Sequence, residues 1–273
     1  MTGRLPRAGA AHVPRKRFGQ HFLHDPGAIA KIVAAVDPRP GEALVEIGPG
    51  LGALTSCLAE AGAPVVAVEL DHGLAAHLRD RFSGGSVEIV EADFLKVPAQ
   101  EWRKRFPAGG TALGNLPYSI SSPAVLRLIE LRVRFPRAVL MLQREVVDRL
   151  CAGPGGKEYG ILSVYLGVLA EARKEFAVRR ACFHPAPDVD SAVMSIRFVG
   201  EYPEALIAAL RTVVRAAFAH RRKTLRNAPV PFLPGGTAQW RELLLAAGID
   251  PAGRAGEVPP AAYLALARAF AGI

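Results

Sequence analysis

Short apolar runs alternate with amphipathic stretches of helical length through the first two-thirds of the chain. Ala43 to Ile47, Val87 to Val90, Thr111 to Leu113 and Ala138 to Leu142 are too short for helices and end at Gly, acidic or amide residues, as buried strands do. A further strand ends at Glu69. Leu54 to Ala61, Ser122 to Leu131 and Glu145 to Cys151 read as helices between strands. A helix near Ile161 to Leu169 precedes two more strands, Arg173 to Val178 and Ala192 to Val199. Seven strands wound with helices predict an α/β fold. Near Gly200-Glu201-Tyr202-Pro203 the pattern turns helix-rich, with helices over Ala205 to Ala219, Ala238 to Ala247 and Pro260 to Ala271. Asn227 to Gly236, rich in Pro and Gly, reads as a loop. We therefore expect three regions: a basic, poorly ordered tail over 1–15, an α/β domain over 16–200 and a small helical domain over 201–273.

The chemistry gathers at the strand ends. Gly48, Glu69, Asp93 and Asn115 fall at the carboxyl ends of consecutive strands, the edge of an open parallel sheet where ligands bind. In Glu46-Ile47-Gly48-Pro49-Gly50-Leu51-Gly52 the glycines occupy a strand-to-helix turn and let backbone approach a cofactor. Gly48, Gly50 and Ala53 also fit the loose dinucleotide fingerprint, with Glu69 where a ribose-binding acid belongs. Glu46 ahead of the first glycine, and Pro49 crowding the turn, favour S-adenosylmethionine over a pyrophosphate. Singly, Glu69 or Asp93 would be read as a helix N-cap.

Asn115-Leu116-Pro117-Tyr118 looks like the catalytic loop of enzymes that methylate the exocyclic amine of adenine. That amine is a poor nucleophile because its lone pair is delocalised into the ring. The Asn115 side-chain carbonyl and the backbone carbonyl of Leu116 or Pro117 can each take an N6 hydrogen and free the lone pair. Pro117 fixes its own φ and restricts Leu116 to extended geometry, so the acceptors are set in advance. Tyr118 offers an aromatic face to a base taken out of its stack. An ordinary Pro-turn with a buried Tyr would carry the same four residues.

Charge adds a partner. The net charge is +9, and Arg4, Arg7, Arg15, Lys16 and Arg17 with Arg211, Arg215, Arg221, Arg222, Lys223 and Arg226 make eleven positive charges. The rest of the chain thus sums to 9 minus 11, or −2. Two concentrated basic segments are the footprint of a phosphate-backbone partner. Cys57, Cys151 and Cys182 form no C-x-x-C, which suits a reducing cytoplasm. His21 and His24 lack further metal-ligand partners, so no metal is expected. Gly153 to Lys157 lacks the residues of a phosphate loop and reads as a flexible loop flanking the active site. No apolar run approaches the roughly 18 residues of a membrane span, and no signal-peptide core is seen. A soluble, cytoplasmic monomer is expected.

Seven segments in order resemble the ribosomal RNA adenine dimethyltransferases. They are Lys16 to Leu23, Glu46 to Gly52, Asn115 to Ser121, Met141 to Val146, Tyr159 to Val164, Phe183 to Val193 and Ala217 to Asn227. The resemblance runs from about Lys16 to the C-terminus, and Arg221-Arg222-Lys223-Thr224-Leu225 looks like the small-subunit branch. It implies a class I methyltransferase fold, a Rossmann-like seven-stranded sheet whose last strand is antiparallel, with a small C-terminal helical domain. It implies S-adenosylmethionine held by His21, Leu23, Gly48, Gly50, Glu69, Asp93 and Asn115, and Phe183 stacking on the target adenine opposite Tyr118. RNA would be held by Arg221, Arg222, Lys223 and Arg226. The implied target is a pair of adjacent adenosines in the 3′-terminal hairpin loop of 16S RNA, met within an assembling small subunit, each methylated twice at N6. His21 stands where Asn is frequent, Ser119 where Asn is, and Asp188 where Lys is. Rivals at this point are a large-subunit RNA dimethylase, a DNA adenine methylase and an assembly or transcription factor with vestigial catalysis.

Overall fold

The computed structural model describes residues 20–39 and 41–273. The expected tail over 1–15, its basic cluster and the Lys16 to Gly19 part of the first motif lie outside the described residues. A seven-stranded sheet organises the rest. In chain order its strands are β2 (Leu44–Ile47), β3 (Val65–Glu69), β4 (Val87–Glu91), β5 (Thr111–Asn115), β6 (Arg137–Gln143), β7 (Ala170–Val178) and β9 (Ser191–Phe198). They lie side by side as β4-β3-β2-β5-β6-β9-β7. β9 is antiparallel to both β6 and β7, and the other neighbours are parallel. The antiparallel last strand implied by the family resemblance is thus present, inserted between β6 and β7.

Period-two alternation divides the strand residues between two apolar layers. Leu44, Leu113, Val139 and Met141 face a layer shared with α1 (Pro26–Val36) and α2 (Ala53–Glu60). Val45, Ala112, Leu140 and Leu142 face the opposite layer, where α4 (Ala99–Arg105) contributes Trp102 and α5 (Ser121–Glu130) contributes Val125 and Leu128. Both faces are covered, which is why the central strands read as nearly continuous apolar runs. α3 (His72–Arg81) links β3 to β4, and α6 (Arg144–Leu150) and α7 (Ile161–Leu169) lie between β6 and β7. After Pro203 the chain is helical, with α8 (Glu204–Phe218), α9 (Gly236–Ala246) and α10 (Pro260–Ala271). Leu206, Val213 and Tyr263 join the apolar cluster that holds Val164 and Leu166 of α7, so these helices extend the core of the sheet layer.

Two features depart from the sequence pattern. β7 starts at Ala170, directly after α7, because pairing of Ala170 with Phe198 and Glu171 with Arg197 on β9 outweighs the poor strand propensity of Ala-Glu-Ala. A second sheet joins β1 (Phe22–Leu23) to β8 (Phe183–His184), with Phe22 opposite His184 and Leu23 opposite Phe183. Two residues carry no periodicity, so sequence alone gives no sign of this clasp.

Candidate active site

A cleft opens at the carboxyl ends of β2, β3, β4 and β5, beside the point where strand order reverses. It is lined by residues from all four strand ends, Gly48, Glu69, Asp93 and Asn115, and by Tyr118 of the following loop. Gly48 has φ 68°, and a Cβ built on it would meet nothing within 4 Å, so backbone lies bare to the cleft. The next glycine supplies a donor: the Gly50 N–H reaches Glu69 Oε2 at 3.2 Å. Asp71 N–H donates to Glu69 Oε1 at 2.8 Å. Glu69 is buried, and burial pushes its carboxyl up against the opposing pull of those backbone bonds.

Glu46 lies deeper. It is buried, accepts from the Thr55 hydroxyl at 2.6 Å, and burial raises it from 4.5 to about 7, with the Glu69 charge adding to the rise. Arg81 at the end of α3 secures the glycine turn by donating to the Leu51 carbonyl and, at 2.7 Å, to Ser56 Oγ. Asp71, not Glu69, is the N-cap of α3, accepting from Gly73 and Leu74. Asp93 does part of the humbler work foreseen for it. Its Oδ1 takes the Leu95 N–H at 3.0 Å and its Oδ2 lies 3.4 Å from Lys96 Nζ, while the residue also lines the cleft.

Across the cleft, Asn115 ends β5 and donates from Nδ2 to the His21 carbonyl at 3.1 Å. A carbonyl only accepts, so this bond fixes the amide and leaves Oδ1 as an acceptor with no partner among the described residues. Leu116 is buried, its N–H bound to the Met141 carbonyl at 3.1 Å. The Pro117 carbonyl is already taken by Ile120 N–H at 3.1 Å, whereas no hydrogen bond reaches the Leu116 carbonyl among the described residues. Of the two backbone acceptors the sequence left open, Leu116 is therefore the free one. Tyr118 lines the cleft, and partial burial raises its phenol against a bond to Ser191, with Asp188 and Asp190 adding to the rise.

His21 meets this loop through both main chain and ring. Its Nδ1 is 2.8 Å from the Pro185 carbonyl, and its ring stacks on Tyr118 with centroids 5.8 Å apart and planes 28° from parallel. Leu23 is buried in β1 yet borders the cleft. Phe183 also borders the cleft but is 4% exposed and packed in the α1 and α2 layer, without ring contact to Tyr118 among the described residues. Phe22, not singled out by sequence, lies so close to the turn that a Cβ on Gly50 would be 3.1 Å from its ring. Its place between two residues already suspected was the available signal.

The basic stretch after α8 lies elsewhere. Arg222, Lys223 and Arg226 are exposed and make no ion pair among the described residues. Arg221 donates to the Lys157 carbonyl and Arg211 pairs with Glu130 at 3.3 Å, so both are partly committed within the chain. The loop expected to flank the active site is corrected by the same contacts. Gly153 to Lys157 does not line the cleft; it lies against the C-terminal region, with Gly155 N–H bound to the Gly256 carbonyl at 2.7 Å. Tyr159 draws it there, being buried with its hydroxyl on the Val258 carbonyl. Among the described residues no group of three His, Cys, Asp or Glu is placed to hold a metal.

A family model described as ribosomal RNA adenine dimethylase matches residues 11–271. The chain is 47% identical over 262 residues to ribosomal RNA small subunit methyltransferase A of Methylococcus capsulatus, covering 94% of this chain and 98% of that protein. It is 45% identical over 254 residues to the protein of the same name in Geobacter sulfurreducens, covering 89% and 90%. Among solved structures it resembles a dimethyladenosine transferase from Plasmodium falciparum, with a TM-score of 0.77 at 26% identity over 90% of this chain and 96% of that one. The 23S rRNA methyltransferase ErmE gives a TM-score of 0.67 at 29% identity over 91% and 99%. With a Rossmann-like sheet, a glycine turn facing a buried acid and a preset Asn-Leu-Pro-Tyr loop, the chain belongs to the ribosomal RNA adenine dimethylases, enzymes that use S-adenosylmethionine.

Proposed function

We propose that this protein dimethylates N6 of two adjacent adenosines in the 3′-terminal hairpin loop of 16S RNA, acting as a monomer on an assembling small subunit in the cytoplasm. The observation that carries the chemistry is the fixed acceptor pair, Asn115 Oδ1 and the Leu116 carbonyl, beside the face of Tyr118. The identity of 45–47% to small-subunit enzymes, against 29% to ErmE, supports the small-subunit target over the large. Among the described residues no helix is long and apolar enough to cross a membrane.

The cleft fits S-adenosylmethionine. Among the described residues the buried Glu69 carboxylate is bonded by backbone N–H groups, and ribose hydroxyls would add donors to it. Gly48 and Gly50 would let the turn lie against the cofactor, Asp93 would accept from its adenine amine, and Leu23, with Phe22, would close over it. When bound, the cofactor supplies a methyl group on a sulfonium, already a strong leaving group. The chain's own part is orientation. Asn115 Oδ1 and the Leu116 carbonyl take the two N6 hydrogens, and the lone pair so released points at the methyl. The new N–C bond would form from that lone pair as the sulfur–methyl bond breaks with its electrons left on sulfur, and the cationic N6 would then release one proton to solvent water. A single hydrogen remains, so the second round needs only one acceptor and room for the methyl already placed, and ends by releasing the last proton in the same way. We take 16–200 as the catalytic part and 201–273 as the RNA-binding part, with Arg221, Arg222, Lys223 and Arg226 meeting phosphates.

The test is mass spectrometry of small-subunit RNA after incubating unmethylated immature subunits with the protein and S-adenosylmethionine. Dimethyladenosine at two adjacent positions is expected, and Asn115→Ala should lower turnover by at least about tenfold. Binding without methyl transfer would favour an assembly factor; near-normal turnover in folded Asn115→Ala would remove the residue from catalysis.

A further inference from the structure

His21 makes contacts that holding a cofactor does not require. It joins three segments far apart in sequence: its carbonyl receives the Asn115 amide at 3.1 Å, its Nδ1 meets the Pro185 carbonyl at 2.8 Å, and its ring lies on Tyr118. The Pro185 carbonyl can only accept, so Nδ1 carries the hydrogen of that bond. One contact in the plane of the ring and one on its face together fix the imidazole. The residue stands just before the β1 and β8 ladder, outside its paired residues, so the two contacts of its ring are what set the direction of its carbonyl.

We propose that His21 is a positioning residue for the target base, acting through Asn115 and Tyr118. The proposal rests on the adenine-N6 reading of the site and adds to it. An Asn amide has two orientations related by a flip, and the flipped one would turn Nδ2 toward the incoming amine, donor against donor. Facing the His21 carbonyl, the flipped amide would also set oxygen against oxygen, so only the productive orientation survives. The imidazole meanwhile covers one face of Tyr118 and leaves the other for the base. A base therefore enters one slot in one orientation, with the acceptors already aimed.

The full-length protein is compared with His21→Ala, His21→Asn and His21→Phe. Asn sets its Nδ2 where the imidazole Nδ1 stands and keeps the Pro185 bond; Phe keeps the ring and loses the donor. The chain has two asparagines, Asn115 and Asn227, so selective labelling isolates the Asn115 side-chain amide in NMR spectra of the free protein. We expect His21→Ala to lower turnover on immature subunits at saturating S-adenosylmethionine by about tenfold or more, as small misplacements of reacting groups do. Calorimetric affinity for S-adenosylmethionine should fall by much less than turnover at saturation does, and the Asn115 amide resonances should move toward their solvent-exposed positions. Asn and Phe at position 21 should each retain more turnover than Ala.

Weakened cofactor affinity with turnover restored at saturation would overturn the proposal, making His21 a cofactor residue. An unaltered Asn115 amide, or equal losses in all three variants, would overturn it as well. If the wild-type protein transfers no methyl, the functional reading fails, and the Asn115 resonances still decide whether His21 sets the amide.

Discussion

Glu46→Gln tests whether the acid beneath the glycine turn is stored in its neutral form. Burial, reinforced by the Glu69 charge, holds the carboxyl at about 7 against 4.5 for an ordinary Glu, even with the Thr55 hydroxyl donating to it. A raised carboxyl means that the folded protein binds a proton the unfolded chain has already lost. Stability from this group is therefore complete below 4.5 and falls as pH rises toward 7. At ~1.4 kcal/mol per pH unit, about 3 kcal/mol is lost by pH 8. The raised Glu69 carboxyl adds to the fall in the same sense. Gln has the shape of the protonated acid, keeps an oxygen for Thr55 and never ionises. Glu46→Gln should melt close to wild type near pH 5 and roughly 5–10 °C above it at pH 8, for a chain of this size. Thermal denaturation across that range by circular dichroism reads the difference. Parallel melting curves for wild type and variant at every pH would refute the reasoning, since they would mean that Glu46 ionises folded and unfolded alike.

The aromatic residues of the cleft should separate into two kinds. Phe183→Ala should cost ~3–5 kcal/mol of stability as a core truncation, whereas Tyr118→Ala, on a partly exposed ring, should lower turnover with a much smaller change in melting temperature. Equal losses of stability with turnover intact would make both core residues and end the stacking role. On the basic surface, changing Arg222, Lys223 and Arg226 to Gln should weaken RNA binding at low salt and reduce the slope of log affinity against log salt by roughly one per residue. An unchanged slope in titrations at several salt concentrations would place the phosphates elsewhere.

Much of the sheet was legible because its strands are buried on both faces and written as apolar runs bounded by the residues that line the cleft. Gly48, Glu69, Asp93 and Asn115 all border one cleft because strand ends in a parallel sheet share an edge, a rule that needs only the element order. The clasp of β1 with β8 was not legible. Its backbone pairing links residues more than 150 positions apart and leaves no period to read. Phe183 shows the limit for single residues: the family resemblance implied a face for the adenine, and only tertiary structure shows that the ring both borders the cleft and packs in the α1 and α2 layer. The Gly153 to Lys157 loop shows it again, since the pull of buried Tyr159 depends on Val258 a hundred residues later.

The two halves of the proposed transfer are brought level by the sheet itself. β2 pairs with β5 with Glu46 opposite Leu113, and two residues further along each strand stand Gly48 and Asn115. The glycine turn and the acceptor amide therefore leave neighbouring strands at the same height, just beyond the last paired residues. That approach needs the residue before Asn115 to be small. A Cβ on Gly114 would lie 2.5 Å from the Ile47 carbonyl, so any side chain there would force the acceptor strand away from the turn. Donor and acceptor are thus held together by paired backbone, the least mobile part of such a fold, and the loops are left to close over them and to choose the RNA.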